Sequence, residues 1–176
     1  MRRYKRQVAL AAVLVLALGA VSYAVAGAGK KQFNGALISY QEVPSVSSVG
    51  TATFEAQIVN ESQIDWELSY SGLEGNVTQA HIHFGQRGVN GGIAPFLCSN
   101  LGNGPPGTQP CPPSPATISG TITAAEITGG ASAQGIAAGE LAEFLAAMRA
   151  GRTYANVHTD LRPGGEIRAQ LGKEKD

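Results

Sequence analysis

Histidine, aromatic residues and charge are all scarce in this chain. Of its 176 residues only three are histidine, two cysteine, two methionine and one tryptophan, while aromatic residues make up 6% and charged residues 15%. Lys+Arg and Asp+Glu both number thirteen, so no surplus of positive charge exists to line a phosphate backbone, and nucleic-acid binding is set aside. The two cysteines offer no C-x-x-C and no zinc-like spacing. Long apolar runs are also missing, with one exception at the N-terminus.

That exception reads as an export signal. "MRRYKRQVALAAVLVLALGAVSYAVAGAGKK" begins with Arg2, Arg3, Lys5 and Arg6, continues through an apolar run from Val8 to Val21, and reaches an A-x-A pattern at Ala24-Val25-Ala26. We expect residues 1–26 to be a cleaved signal peptide followed by a linker over 27–32. The alternative is an uncleaved membrane anchor, since the weakly polar stretch extends to about 20 residues, enough to span a bilayer. Without residues 1–26 the chain loses four of its thirteen basic residues and no acidic one, which leaves a net charge of −4. The expected location is secreted or periplasmic, with membrane contact only if the signal stays attached. In such a compartment Cys98 and Cys111, with twelve residues between them in a Gly/Pro/Asn-rich segment, are expected to form one disulfide.

The length suits a single domain. Period-two alternation dominates the rest of the chain. "GTATFEAQIV" puts Ala52, Phe54, Ala56 and Ile58 on one face, and "QIDWELSYS" repeats the pattern with Ile64, Trp66, Leu68 and Tyr70, so the intervening "VNESQ" predicts a hairpin. Further strands are expected at "FNGALISY", "QAHIHFG", "IAPFL", "ATISGTIT", "TYANVHT" and "EIRAQL". In "GELAEFLAAMRAG", Leu141, Phe144, Leu145 and Met148 instead recur at helical spacing, with Gly151 as a C-terminal cap. The fold class expected is therefore all-β: a Greek-key-like antiparallel β-sandwich or barrel of about eight strands with one short helix. The segments 100–115 and "TGGASAQGIAAG" read as exposed connections, and 172–176 as a polar tail.

All three histidines fall in strand-like runs. In "AHIHFG" the apolar Ala80, Ile82 and Phe84 alternate with His81 and His83, so the core takes the first set and both imidazoles leave the sheet on its outer face or at a rim. The same logic in "TYANVHT" turns Val157 inward and Tyr154, Asn156 and His158 outward. If these strands are neighbours, His81, His83 and His158 converge as metal ligands. Three neutral imidazoles with an open position suit a reactive metal; copper is the leading choice and zinc the lesser one. Glu166, Asp160 and Asn156 are candidates to orient the ligands from behind. Arg168 can hold an anionic substrate beside the metal, or simply pair with Glu166.

Taken together, "YQEVPSV" with Glu42, "AHIHFGQRGVNGGI", "LCSN" with the later "CP", and "YANVHTDLRPGGEIRAQ" resemble the CHRD domain, a module named for chordin and also found singly in exported bacterial proteins. The resemblance spans residues 33–171 and implies a β-sandwich or barrel. Ala169 departs from the glycine that often follows GEIR in that family. A more distant similarity of arrangement links the chain to copper-zinc superoxide dismutases, which also combine an HxH strand, a later histidine strand, one disulfide and an arginine near copper. This chain has no fourth copper histidine and no zinc-loop histidines. The likeness to superoxide dismutases is one of arrangement and does not itself carry function; the leading expectation, from the placement of the histidines, is an extracytoplasmic protein holding one copper ion through His81, His83 and His158 and dismutating superoxide, with Arg168 attracting the anion. The alternatives are copper storage or delivery without turnover, and a non-enzymatic module that binds an extracellular protein or polymer.

Overall fold

The computed structural model describes residues 32–173, so the expected signal peptide and most of the linker lie outside the described residues. Among the described residues nine strands form one antiparallel sheet: β1 (Gln32–Ile38), β2 (Thr51–Asn60), β3 (Gln63–Ser71), β4 (Val77–Phe84), β5 (Gly92–Ser99), β6 (Ala116–Ile122), β7 (Thr153–Thr159), β8 (Ile167–Gln170) and β9 (Gly172–Lys173). Their spatial order is β5-β4-β7-β8-β1-β2-β3-β6, with the two-residue β9 also pairing to β1. The sheet curls into a nearly closed barrel around one apolar core. The expected all-β class and strand count hold, and the predicted hairpin is β2–β3.

Alternation decides what faces inward. Ala52, Phe54, Ala56 and Ile58 on β2 and Ile64, Trp66, Leu68 and Tyr70 on β3 are buried, while the residues between them stay exposed or half-buried. Helix α1 (Leu141–Arg149) contributes Leu141, Phe144, Leu145 and Met148 to the same core. It ends where Gly151 takes a positive φ of 66° and returns its N–H to the Met148 carbonyl.

Two connections differ from expectation. The segment "TGGASAQGIAAG" is no loose excursion: residues 129–134 form a 3-10 helix capped by Thr128, and Ala131 and Ile136 are buried. Small side chains let it lie against β5, where a Cβ at Gly130 would collide with the Ile93 backbone. The tail is also partly structural, since Gly172 and Lys173 pair with β1, opposite Asn34 and Phe33.

The open seam of the barrel lies between β5 and β6. Residues 100–115 bridge it, held by the expected Cys98–Cys111 disulfide. Gln109 donates its Nε2 hydrogens to the Leu97 carbonyl on β5 (3.2 Å) and the Ser119 carbonyl on β6 (3.1 Å). Within the loop, Asn100 Nδ2 donates to the carbonyls of Val77 on β4 and of Cys111, both at 2.9 Å, and from β3 Tyr70 Oη donates to the Pro112 carbonyl at 2.6 Å. Backbone groups that a continuous ladder would satisfy are thus satisfied by one loop.

Replacing both cysteines by alanine should lower the unfolding free energy by about 3 kcal/mol, the scale for releasing a loop of this size. Urea titrations of the oxidised wild type and the double variant check this; coincident midpoints would mean that the amide bridges alone hold the seam.

Candidate metal centre

β4 and β7 are neighbours and together carry every histidine. Their register sets Gln79 opposite His158, His81 opposite Asn156 and His83 opposite Tyr154. Alternation then places the three imidazoles on the sheet face away from Ala80, Ile82, Ala155 and Val157, all of which are buried in the core. Ring centroids are 4.9 Å apart for His81–His158, 5.4 Å for His81–His83 and 6.5 Å for His83–His158. One ring nitrogen from each lies within 4.8 Å of the others.

The rings leave the sheet on the expected face, yet that face is not open to solvent. They do point away from the core, but His81 is 0%, His83 8% and His158 7% exposed. The physical reason is a second layer: the β1–β2 connection (39–50), the β4–β5 loop (85–91) and the β7–β8 loop (160–166) fold back over this face. Asn90 Nδ2 donates to the Val43 carbonyl (3.1 Å) and Arg87 to Gln41 Oε1 (3.2 Å), locking the first two loops together. Strand periodicity reports which way a side chain leaves the sheet, not what a distant loop later places on top of it.

Those loops also supply the orienting groups. His83 Nδ1 lies 2.8 Å from the Gly91 carbonyl and His158 Nδ1 lies 2.9 Å from the Pro163 carbonyl. A carbonyl only accepts, so each Nδ1 must carry the proton, which leaves Nε2 of both rings as a free lone pair. Neither Nε2 has a hydrogen-bond partner, and both ring nitrogens of His81 lack one. Burial drives the His81 pKa down to about 2, helped by its neighbours His158 and His83. Burial likewise brings His83 down to about 4 despite the Gly91 carbonyl, and lowers His158. All three rings are therefore neutral at physiological pH, the form that binds metal. A set of three neutral nitrogen donors this close together fits a first-row transition ion.

Glu166 and Asp160, expected behind the imidazoles, are engaged elsewhere. The Glu166 carboxylate accepts from Ser48 Oγ (2.6 Å), the Glu74 N–H (2.8 Å) and Thr159 Oγ1 (2.7 Å), tying three segments together. Asp160 accepts from the Asn76 backbone N–H (2.9 Å) and its Nδ2 (2.8 Å). Backbone carbonyls do the orienting instead. Asn156 is buried opposite His81 in the β4–β7 register, and its Oδ1 closes no hydrogen bond.

Arg168 does not pair with Glu166. It is 2% exposed and donates to Asn90 Oδ1 (3.0 Å) and to the carbonyls of Val89 (2.7 Å) and Gln86 (3.4 Å), clamping the 85–91 loop. Its guanidinium carbon sits 3.3 Å from the Tyr154 ring centroid, and that ring stacks on His83 at 4.6 Å. A guanidinium, a phenol and an imidazole thus form one column.

Sequence reasoning gave no role to Glu42, which is 5% exposed beside this cluster. Burial, opposed by Arg168, raises its pKa to about 7. Glu42 sits in a loop without periodicity, and its only sequence signal was its place in "YQEVPSV".

The CHRD domain family model matches residues 33–171, and the chain belongs to that family. No curated protein and no solved structure matches the chain.

The histidine shifts predict an acid limb in the stability of the metal-free protein. Because the folded pKa values of His81 and His83 lie below the unfolded value of 6.5, their contribution is complete above pH 6.5 and is lost as pH falls toward about 4 and below. Each proton taken up on unfolding adds a slope of about 1.4 kcal/mol per pH unit. Denaturant midpoints between pH 7 and 4 measure it, and a flat profile would contradict the buried neutral rings.

Proposed function

We propose that this protein holds one copper ion in an extracytoplasmic compartment, using His81, His83 and His158 as ligands. The observation that supports it most directly is the pair of carbonyls, Gly91 and Pro163, that fix the tautomers of His83 and His158. Hydrogen bonds that orient an imidazole for binding are typical of metal sites, and without a ligand they leave buried lone pairs unsatisfied. Copper is preferred over zinc because affinity for a nitrogen site peaks at copper(II) among the divalent first-row ions. Export is supported by the N-terminal sequence and is compatible with the Cys98–Cys111 disulfide.

When bound, copper supplies one-electron exchange, and superoxide dismutation is the turnover reading. In that reading the Arg168 charge attracts the anion through space rather than by contact, since the mapped donors of this side chain hold the 85–91 loop. Burial favours a second reading. The ligating nitrogens of His83 and His158 and both nitrogens of His81 are shielded from solvent, which suits an ion kept in place for storage or delivery.

Metal analysis of protein purified from the exporting compartment should find copper near one equivalent. His158→Ala should lose stoichiometric binding and the accompanying rise in stability, about 2.7 kcal/mol when free copper is 100 times the dissociation constant. Retention of one-to-one binding by that variant would remove the site. Superoxide decay followed after pulse radiolysis then separates turnover from storage: the loaded protein accelerates decay in the first reading only.

A further inference from the structure

Three imidazoles do not account for all the unpartnered polar atoms at this centre. Among the described residues nine buried side-chain atoms lack a hydrogen bond, and six of them gather here: Glu42 Oε1, Asn156 Oδ1, both nitrogens of His81, and Nε2 of His83 and of His158. Such atoms are rare in native proteins, so their clustering marks a place where something binds.

The two oxygens differ in kind from the nitrogens. A metal ion satisfies imidazole lone pairs, but Glu42 Oε1 and the Asn156 Oδ1 call for hydrogen-bond donors. Arg168 contributes attraction to Glu42 without bridging it directly; the ion pairs among the described residues are Arg149–Glu61 and Arg162–Glu74. Nor can the Glu42 carboxyl retreat, because it rests on the backbone of Gly165, where an added Cβ would stand 2.5 Å from Oε1. Asn156 is fixed between His81, opposite on β4, and Arg168, opposite on β8.

We propose that Glu42 and Asn156 form a hydrogen-bond-accepting subsite beside the three imidazoles, and that it takes a small neutral O–H donor, water in the resting protein. A bare anion brings no hydrogen to either oxygen, whereas a water molecule brings two. The subsite rests on the three-histidine reading for its place in the chemistry but not for its existence. It also assigns Glu42 to a positioning role, holding the ligand next to the ion's open position and leaving the ion itself to the imidazoles.

The test compares Glu42→Gln, which keeps an acceptor oxygen, with Glu42→Leu, which removes it; Asn156→Leu stands in if the latter fails to fold. In metal-free protein, oxygen-17 and deuterium relaxation dispersion count long-lived internal waters. Wild type and Glu42→Gln should share a count that Glu42→Leu lowers by one, and an unchanged count would overturn the subsite. In copper-loaded wild type, pulsed electron-nuclear double resonance should detect strongly coupled protons that exchange in heavy water. These should persist in Glu42→Gln and be lost in Glu42→Leu, with the imidazole nitrogen couplings unchanged. Absence of exchangeable protons in the wild type, with altered copper couplings in Glu42→Leu, would make Glu42 a ligand and overturn the proposal. A wild type that refuses copper would defeat the copper reading alone, and the water count would still decide the subsite.

Discussion

Burial of the sheet face that carries the histidines is the constraint on which the rest of this structure depends. A barrel of this size needs an apolar interior, and the inward residues of β4, β7 and β8 supply it with Ala80, Ile82, Ala155, Val157, Ile167 and Ala169. Their outward neighbours are His81, His83, Tyr154, Asn156, His158 and Arg168, all buried as well. A polar face removed from water must find its partners inside the protein. The loops that cover it therefore act as hydrogen-bonding surfaces as well as steric covers, and Gly91, Pro163, Val89 and Gln86 present backbone carbonyls to the side chains beneath.

Arg168 is central to that arrangement. Removing a guanidinium from water is costly unless its charge and donors are met. Here the Tyr154 face meets the charge, and Asn90 with two backbone carbonyls meets the donors. Because Tyr154 stacks on His83, the same side chain that fixes the loop also braces the His83 imidazole from behind. Loop position and imidazole orientation are consequently coupled, so a disturbance of the 85–91 loop reaches the centre through the stack and through the Gly91 carbonyl.

Much of this was legible in the sequence, and the boundary of legibility has a physical explanation. Strict alternation on β2 and β3 fixed their faces, helical spacing marked Leu141 to Met148, and alternation again put the three histidines on one side of their strands. Those are local properties of a periodic backbone. The roles of Glu166, Asp160 and Glu42 were not legible, because each depends on a contact far along the chain: Glu166 with Ser48 and Glu74, Asp160 with Asn76, Glu42 with Gly165 and Asn156. A carboxylate two residues before an arginine on the same strand pattern looks like its partner. In the folded chain Glu166 precedes the first residue of β8 and turns to a different set of donors.

The glycine pairs in "VNGGI" and "RPGGE" show how closely the covering layer must lie. A Cβ at Gly91 would collide with the Phe84 carbonyl and one at Gly92 with the Gly130 carbonyl, so the 85–91 loop can reach His83 only with bare backbone at its return. Gly165 faces the same restriction from Glu42, and its φ of 124° is closed to ordinary side chains. Gly50 repeats the theme beside Leu73 and the Glu166 carboxylate. Backbone brought this near places carbonyl oxygens, of Gly91 and of Pro163, within hydrogen-bond distance of imidazole Nδ1. The motifs that frame the histidines in sequence are thus the parts that let peptide groups, rather than acidic side chains, set the tautomers of the rings.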